Sequence, residues 1–354
     1  MEEILLKVIL MVSTTFAFVA LLIPFIKKIA IKIGAVDKPR GRHQHKKKTP
    51  KMGGIAVFFG FLLGYMIFGE ASSTMNAVLI GSFIIILTGI IDDIAELGSL
   101  NKLIGQLAAS LVIVLYGNLL ISELSAFGFY LEFGIFAYPV TIIFILGCIN
   151  CINLIDGLDG LSGGISAIYF LTIGIIAIFQ GKFGLDFVIA FVMLGSLLGF
   201  LFHNFPPASI FAGDSGSMFF GFIISVLALL GFKNVTLTSF IIPLLILAIP
   251  ILDTLFAIIR RTLKGQNAFT SADRFHIHHQ LLNLNLSPKA TILLIYIIDL
   301  LFAFASILYM HKDKLAYGIY AILVVFVLTL VLKTNIVFEK DTLKEKIKKR
   351  LQKK

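Results

Sequence analysis

Several clusters of polar residues interrupt an otherwise apolar chain of 354 residues, and their types and spacing suit phosphate or a divalent cation. Asp92 and Asp93 are adjacent and meet no basic residue before Lys102. Adjacent carboxylates repel unless a cation or a shared proton compensates, so the pair points to a metal or to a proton taken from a substrate. The plain alternative is a charged pair closing a helix. Asn150, Asn153 and Asp156 recur at steps of three, which places them near one helix face, and Asp159 follows among Gly157 and Gly160. Asparagine amides donate and accept hydrogen bonds, and aspartate oxygens are hard ligands suited to Mg²⁺. In the run Phe211-Ala-Gly213-Asp214-Ser-Gly216-Ser217, glycines permit close approach of a phosphate, and a helix starting there attracts anions. Asp214 or Ser215 capping that helix is the simpler reading. The run Arg274-Phe-His276-Ile-His278-His279 could ligate a metal, but zinc needs further Cys or His ligands, and phosphate binding beside Arg274 is favoured. Lys46, Lys47 and Lys48 precede a helix start at Gly53-Gly54; they either set topology or neutralise a nucleotide diphosphate.

These residues need elements to hold them, and composition says which. The chain is 58% hydrophobic and only 14% charged, with a mean hydropathy of +0.99. A water-soluble domain carries roughly 25% charged residues, so the bilayer is the main solvent. A span needs about 20 apolar residues. Scanning on that basis predicts an all-α integral membrane protein of about eleven transmembrane helices, centred near 4–26, 53–69, 77–95, 103–120, 136–154, 164–180, 186–203, 216–232, 238–259, 290–310 and 315–333. The segment 121–135 reads as a short hairpin or re-entrant piece. With the N-terminus outside, 25 of the 30 lysines and arginines fall on inward segments, which satisfies the positive-inside bias and puts the C-terminus in the cytoplasm. All the polar clusters then converge on the cytoplasmic face. Residues 1–338 form a polytopic catalytic domain, and 339–354 a basic amphipathic tail suited to the anionic inner leaflet. Cys148 and Cys151 lie in an apolar run and read as small packing residues. The net charge of +10 is accounted for by loops, so no nucleic-acid partner is expected. A secondary transporter would place its polar residues nearer the bilayer midplane, where Asp253 and Asp299 are the candidates; Arg260, two turns beyond Asp253, is a plausible partner for it.

In order along the chain, the Lys46–Gly54 stretch, Asp92-Asp93, Asn150 to Gly160, Gly213 to Ser217 and His276 to His279 resemble the polyprenyl-phosphate N-acetylhexosamine-1-phosphate transferase family, glycosyltransferase family 4. The eleventh span, the inward basic tail and the His-Ile-His-His pattern are similar to its WecA and TagO branch; an MraY-like phospho-MurNAc-pentapeptide transferase is the alternative. The resemblance implies a helical bundle with a cytoplasmic-face active-site cleft, commonly dimeric, in the inner (cytoplasmic) membrane. It implies transfer of N-acetylglucosamine-1-phosphate from UDP-GlcNAc to undecaprenyl phosphate, with release of UMP. Mg²⁺ is the implied cofactor, Mn²⁺ a substitute. Residue by residue, it implies that Asp214 ligates Mg²⁺ and that Asp92 or Asp93 deprotonates or orients the lipid phosphate. Asn153, Asp156 and Asp159 line the nucleotide and metal pocket, Asp156 as a further ligand. Asn204 and Phe211 meet the uracil, and Lys46, Lys48, Lys102, Arg274, His276, His278 and His279 meet phosphates.

Overall fold

The computed structural model describes residues 2–37, 49–126, 129–232, 244–263, 265, 275–311 and 313–333. They belong to two compact units, Met1–Leu247 and Ala248–Lys354.

The first unit holds α1 (Glu2–Ile33), α2 (Gly53–Phe68), α3 (Ser73–Ala95), α4 (Ser99–Leu111), α5 (Ala137–Ile155), α6 (Leu161–Phe179), α7 (Leu185–Asn204) and α8 (Gly213–Phe232). A π-helical turn, Val112–Tyr116, prolongs α4. Helices are the natural solution here, because lipid offers no partner for a bare peptide group and a helix satisfies its own. Two short antiparallel ribbons complete the unit. β1 (Val36–Asp37) pairs with β2 (Thr49–Pro50), and β3 (Glu123–Ala126) pairs with β4 (Phe129–Glu132), with Leu124 opposite Leu131. The second ribbon is the hairpin expected within 121–135.

The central helix is α8, which packs against α2, α3, α5, α6 and α7 and buries Phe219, Phe220 and Phe222. On the outside, α1 lies on α2 and α7 and leaves Leu5, Leu21, Phe25 and Ile29 exposed. A row of exposed leucine, isoleucine and phenylalanine is what a lipid-facing helix presents. Lipid tails are as apolar as leucine, so helices are joined mainly by close packing, which small residues allow. Gly195 and Gly199 let the backbone of α1 press against α7 at Val12 and Phe16. A side chain at Gly221 of α8 would strike the backbone of Cys148 and Ile149 in α5. Cys148 is buried there and both cysteines are free thiols, as packing residues should be.

The second unit contains α9 (Ala248–Leu263), α10 (Ile277–Asn283), α11 (Pro288–Met310) and α12 (Leu315–Lys333). α11 begins with Pro288 in its first turn, where the missing N–H costs no bond, and Ser287 caps it by accepting the Ala290 N–H at 3.2 Å. α11 packs with α9, α10 and α12.

Eight described helices are long and apolar enough to cross a membrane, and Gly53–Phe68 and Leu315–Val327 are shorter apolar helices. The protein is therefore an all-α integral membrane protein. Of the eleven expected spans, the one near 53–69 is a helix of 16 residues, and the one near 315–333 is α12, 19 residues long. The one near 238–259 is described only in part, and there α9 carries Arg260 and Arg261 in its last turn. The basic tail 339–354 lies outside the described residues.

Candidate active site

The acidic residues meet because glycines let three helices touch at one end. Gly54 of α2 and Gly89 of α3 lie against the backbone of Gly216 and Ser215, so a Cβ at either would collide with α8. The N–H groups of Gly53 and Gly54 donate to the carbonyls of Phe211 and Ala212 at 2.9 and 3.0 Å, and the Phe211 N–H donates to Pro50 at 2.9 Å. The start of α2 is thereby stitched to the loop that leads into α8. Gly213 makes the entry turn with φ 71, a backbone conformation that suits glycine.

At this end Asp93 is buried and caps α8. Its Oδ1 accepts the Asp214 N–H at 2.9 Å, and its Oδ2 accepts the Ser215 N–H at 3.2 Å and the Ser215 hydroxyl at 2.7 Å. The cap comes from another helix, 121 residues away in sequence. Neither Asp214 nor Ser215 supplies it, which leaves the Asp214 carboxylate for other work.

That carboxylate faces a cation. Lys102 Nζ lies 2.7 Å from Asp92 Oδ2 and 3.2 Å from Asp214 Oδ1. The other oxygen of Asp92 accepts the Leu97 N–H at 2.7 Å, closing the end of α3. Asn153 Nδ2 donates to Asp214 Oδ1 at 2.6 Å and to Ser217 Oγ at 2.8 Å. One turn deeper, Asn150 Nδ2 donates to Gln106 Oε1 at 2.9 Å, joining α5 to α4 in the bundle interior.

The loops after α5 and α7 form the neighbouring wall. Asp156 accepts the Ser162 hydroxyl at 2.5 Å. It keeps slight access to solvent, yet protein surrounds it closely. Burial pushes its carboxyl up to about 7; the Ser162 bond opposes this, and the charges of Asp214, Asp93 and Asp159 add to it. Asp159 Oδ2 accepts the Ala208 N–H at 3.0 Å. Asn204 is buried with both ends of its amide engaged, accepting from Gly160 N–H and donating to the Ile210 carbonyl, each at 2.8 Å. Asp159 and Asn204 thus brace the two loops against each other.

Asp92, Asp93, Lys102, Asn153, Asp156, Asp159, Asn204, Phe211 and Asp214 all belong to the first unit, at one end of its helices. Lys46, Lys48 and Arg274 lie outside the described residues. His276, His278 and His279 belong to the second unit. There the His276 ring is parallel to that of His278, with centroids 5.8 Å apart, and His278 lies 4.2 Å from His279. Burial holds His278 well below the usual imidazole range, helped by the two neighbouring histidines. Both its ring nitrogens are buried without a hydrogen-bond partner. Asp253 Oδ2 meets His276 Nδ1 at 2.7 Å. Sequence spacing does not reveal that contact, nor the parts taken by Ser162 and Gln106, because their partners come from other helices.

A bundle of apolar helices that gathers carboxylates, amides and a lysine at one end defines a polytopic membrane protein equipped for charged chemistry. Residues 75–232, which contain most of that cluster, match the family described as Glycosyl transferase family 4. Across all of its length the chain is 41% identical to the probable undecaprenyl-phosphate N-acetylglucosaminyl 1-phosphate transferase of Bacillus subtilis (strain 168), covering 99% of that protein. It is 32% identical to the decaprenyl-phosphate N-acetylglucosaminephosphotransferase of Mycobacterium tuberculosis (strain ATCC 25618 / H37Rv), over 86% of this chain and 84% of that one. It is 29% identical to the undecaprenyl-phosphate alpha-N-acetylglucosaminyl 1-phosphate transferase of Escherichia coli (strain K12), over 83% and 81%. The chain belongs to glycosyl transferase family 4.

Proposed function

We propose that the protein transfers N-acetylglucosamine-1-phosphate from UDP-GlcNAc to undecaprenyl phosphate, giving undecaprenyl-diphosphate-GlcNAc and UMP. The product would serve as the first lipid intermediate of a cell-surface polysaccharide. The observation that carries this reading is end-to-end similarity to a protein named as a probable undecaprenyl-phosphate N-acetylglucosaminyl 1-phosphate transferase. The site geometry supports it from the chemistry upward.

An oxygen of the lipid phosphate attacks the β-phosphorus of the nucleotide sugar, and the bond from that phosphorus to the UMP oxygen breaks. Both reactants are anions, so the protein's task is positioning and charge neutralisation. Lys102, already seated between Asp92 and Asp214, brings a positive charge to the reacting phosphates. Asp92 orients the lipid phosphate and accepts its proton when that phosphate arrives protonated. Phe211 and the loop that Asn204 braces hold the uracil, and Asp159 keeps that wall in place. The histidine segment, with Lys46, Lys48 and Arg274, adds donors for the phosphates.

The residues present fit a magnesium ion. The spot between Asp92 and Asp214 already attracts an ammonium group, and Asn153 and Asp156 stand next to it. Among the described residues no group of three or more His, Cys, Asp or Glu side chains could hold a metal alone. Mg²⁺ is commonly held by one or two carboxylates, waters and substrate phosphates, so it does not require such a group. Asp214 is the first candidate ligand and Asp156 the second, with Mn²⁺ a workable substitute. When bound, the ion would neutralise diphosphate charge and stabilise the leaving UMP.

The transfer is direct. Both oxygens of Asp93 are committed to capping α8, so Asp93 is not poised as a nucleophile, and the part proposed for Asp92 is that of orienting the lipid phosphate and taking its proton. A single displacement inverts configuration at the β-phosphorus, and a chirally labelled donor reads this out; retention would require a covalent intermediate.

The site faces the cytoplasm in this reading, where the nucleotide sugar is made, and a homodimer is the working assembly. Purified protein given UDP-GlcNAc, undecaprenyl phosphate and Mg²⁺ should release UMP, and omitting any one of the three should stop it. A panel including UDP-GalNAc fixes the sugar. No UMP release with any N-acetylhexosamine donor would overturn the proposal.

A further inference from the structure

We propose that Asp253 is a positioning residue that fixes the ring of His276 and the start of the histidine segment for a phosphate-bearing ligand. The inference rests on the reading of that segment as part of the nucleotide-sugar site. Asp253 lies on α9 and is almost fully buried. A carboxylate in such a place is costly unless its oxygens are occupied. Both are: Oδ2 meets His276 Nδ1 at 2.7 Å, and Oδ1 accepts the Ile277 N–H at 2.7 Å.

These two bonds act on one another's targets. Ile277 begins α10, and no side chain of the preceding residue caps that helix. Asp253 supplies the missing acceptor from α9, 24 residues away, and so anchors the backbone that carries all three histidines. The bond to Nδ1 sets which ring nitrogen holds the hydrogen, and leaves Nε2 of His276 as the atom for a ligand. The His276 ring in turn lies parallel to His278, whose two ring nitrogens are buried without partners. Buried polar atoms of this kind cost free energy, and a ligand that engages them recovers it. A phosphate oxygen is such a ligand once an imidazole N–H is directed at it. Asp253 touches none of these ligand atoms and works through His276.

The experiment compares Asp253→Asn, His276→Gln and the double variant in the full chain, purified in detergent. An asparagine keeps an acceptor for Ile277 but places an amide donor opposite Nδ1, so the ring must move its hydrogen to Nε2. Nitrogen-15 NMR of histidine-labelled protein, with no donor present, should show Nδ1–H at His276 in the parent chain and its loss in Asp253→Asn. With UDP-GlcNAc as the probe, Asp253→Asn should raise KM by about ten- to a hundredfold, in line with other outer-shell partners of ligating histidines, with a smaller change in kcat. In the His276→Gln background the same change should add less than about twofold. A His276 ring without Nδ1–H in the parent chain, or effects of the two substitutions that multiply in full, would overturn the proposal. If Asp253→Asn does not fold, the spectrum of the parent chain still decides. Absence of turnover in the parent chain would count against the proposed reaction, whereas the spectrum tests the Asp253–His276 contact on its own.

Discussion

A helix turns roughly 100° per residue, so two adjacent carboxylates at its end cannot face the same way. Asp93 turns into the bundle and holds the first turn of α8, and Asp92 turns to Lys102. Sequence reading identified the pair as unusual, but it could not divide the work between its members. The division depends on where α8 begins, and that is settled by packing of residues more than a hundred positions away. The same is true of Asp253, whose partner His276 becomes a neighbour only once the chain has folded back on α9. By contrast Asn153 and Asp214 stand out in the sequence itself, as hydrogen-bonding side chains in apolar runs, and the structure brings the two into contact. Asp214→Asn should lower UMP release by roughly a hundredfold or more, as losses of charge-stabilising groups do, while thermal stability changes little. The pH profile offers a second measurement at this scale. With its carboxyl raised to about 7, Asp156 is neutral below that pH and anionic above it. A role for the anion therefore predicts that kcat/KM at limiting Mg²⁺ rises as pH goes from roughly 6 to 8, and Asp156→Asn should flatten that limb.

Among elements, the decisive contacts are those of α2 and α3 with the start of α8. Sequence reading saw Gly53 and Gly54 as a helix start and Gly213 and Gly216 as room for a phosphate. The structure uses Gly54 and Gly216 against each other, so that part of the pattern is architecture. Gly54→Ala or Gly89→Ala should cost about 1–3 kcal/mol of stability through overpacking, and activity should fall with it. Gly147→Ala in α5 is the control, since a Cβ there meets nothing within 4 Å. It should leave both unfolding midpoint and turnover near the parent values. The helices themselves were readable because hydropathy reports them directly. Their ends were less so: α2 is only 16 residues long, and α4 runs on into a π-helical turn that no periodicity announces.

The whole molecule is sorted by charge as well as by hydropathy. By the positive-inside bias, the segments richest in lysine and arginine are the ones expected in the cytoplasm. A reporter that fluoresces only in the cytoplasm should shine when fused after Lys354 and stay dark when fused before Met1; the reverse pattern would turn the proposed site away from its nucleotide donor. Lys102 ties this sidedness to waiting. A protein held in a membrane spends much of its life without one substrate or the other, and bare opposed anions would push its helices apart in those intervals. An ammonium resting between Asp92 and Asp214 gives the idle protein an internal counter-charge. In the proposed reaction a divalent ion held by Asp214 would displace that group, and the phosphates of the donor would give it somewhere to go. Ion and nucleotide should then recruit each other, each tightening the other's binding by the same factor. Replacing Lys102 with methionine should weaken that mutual help, leaving the direct attraction between ion and diphosphate, and paired titrations by calorimetry would register the loss.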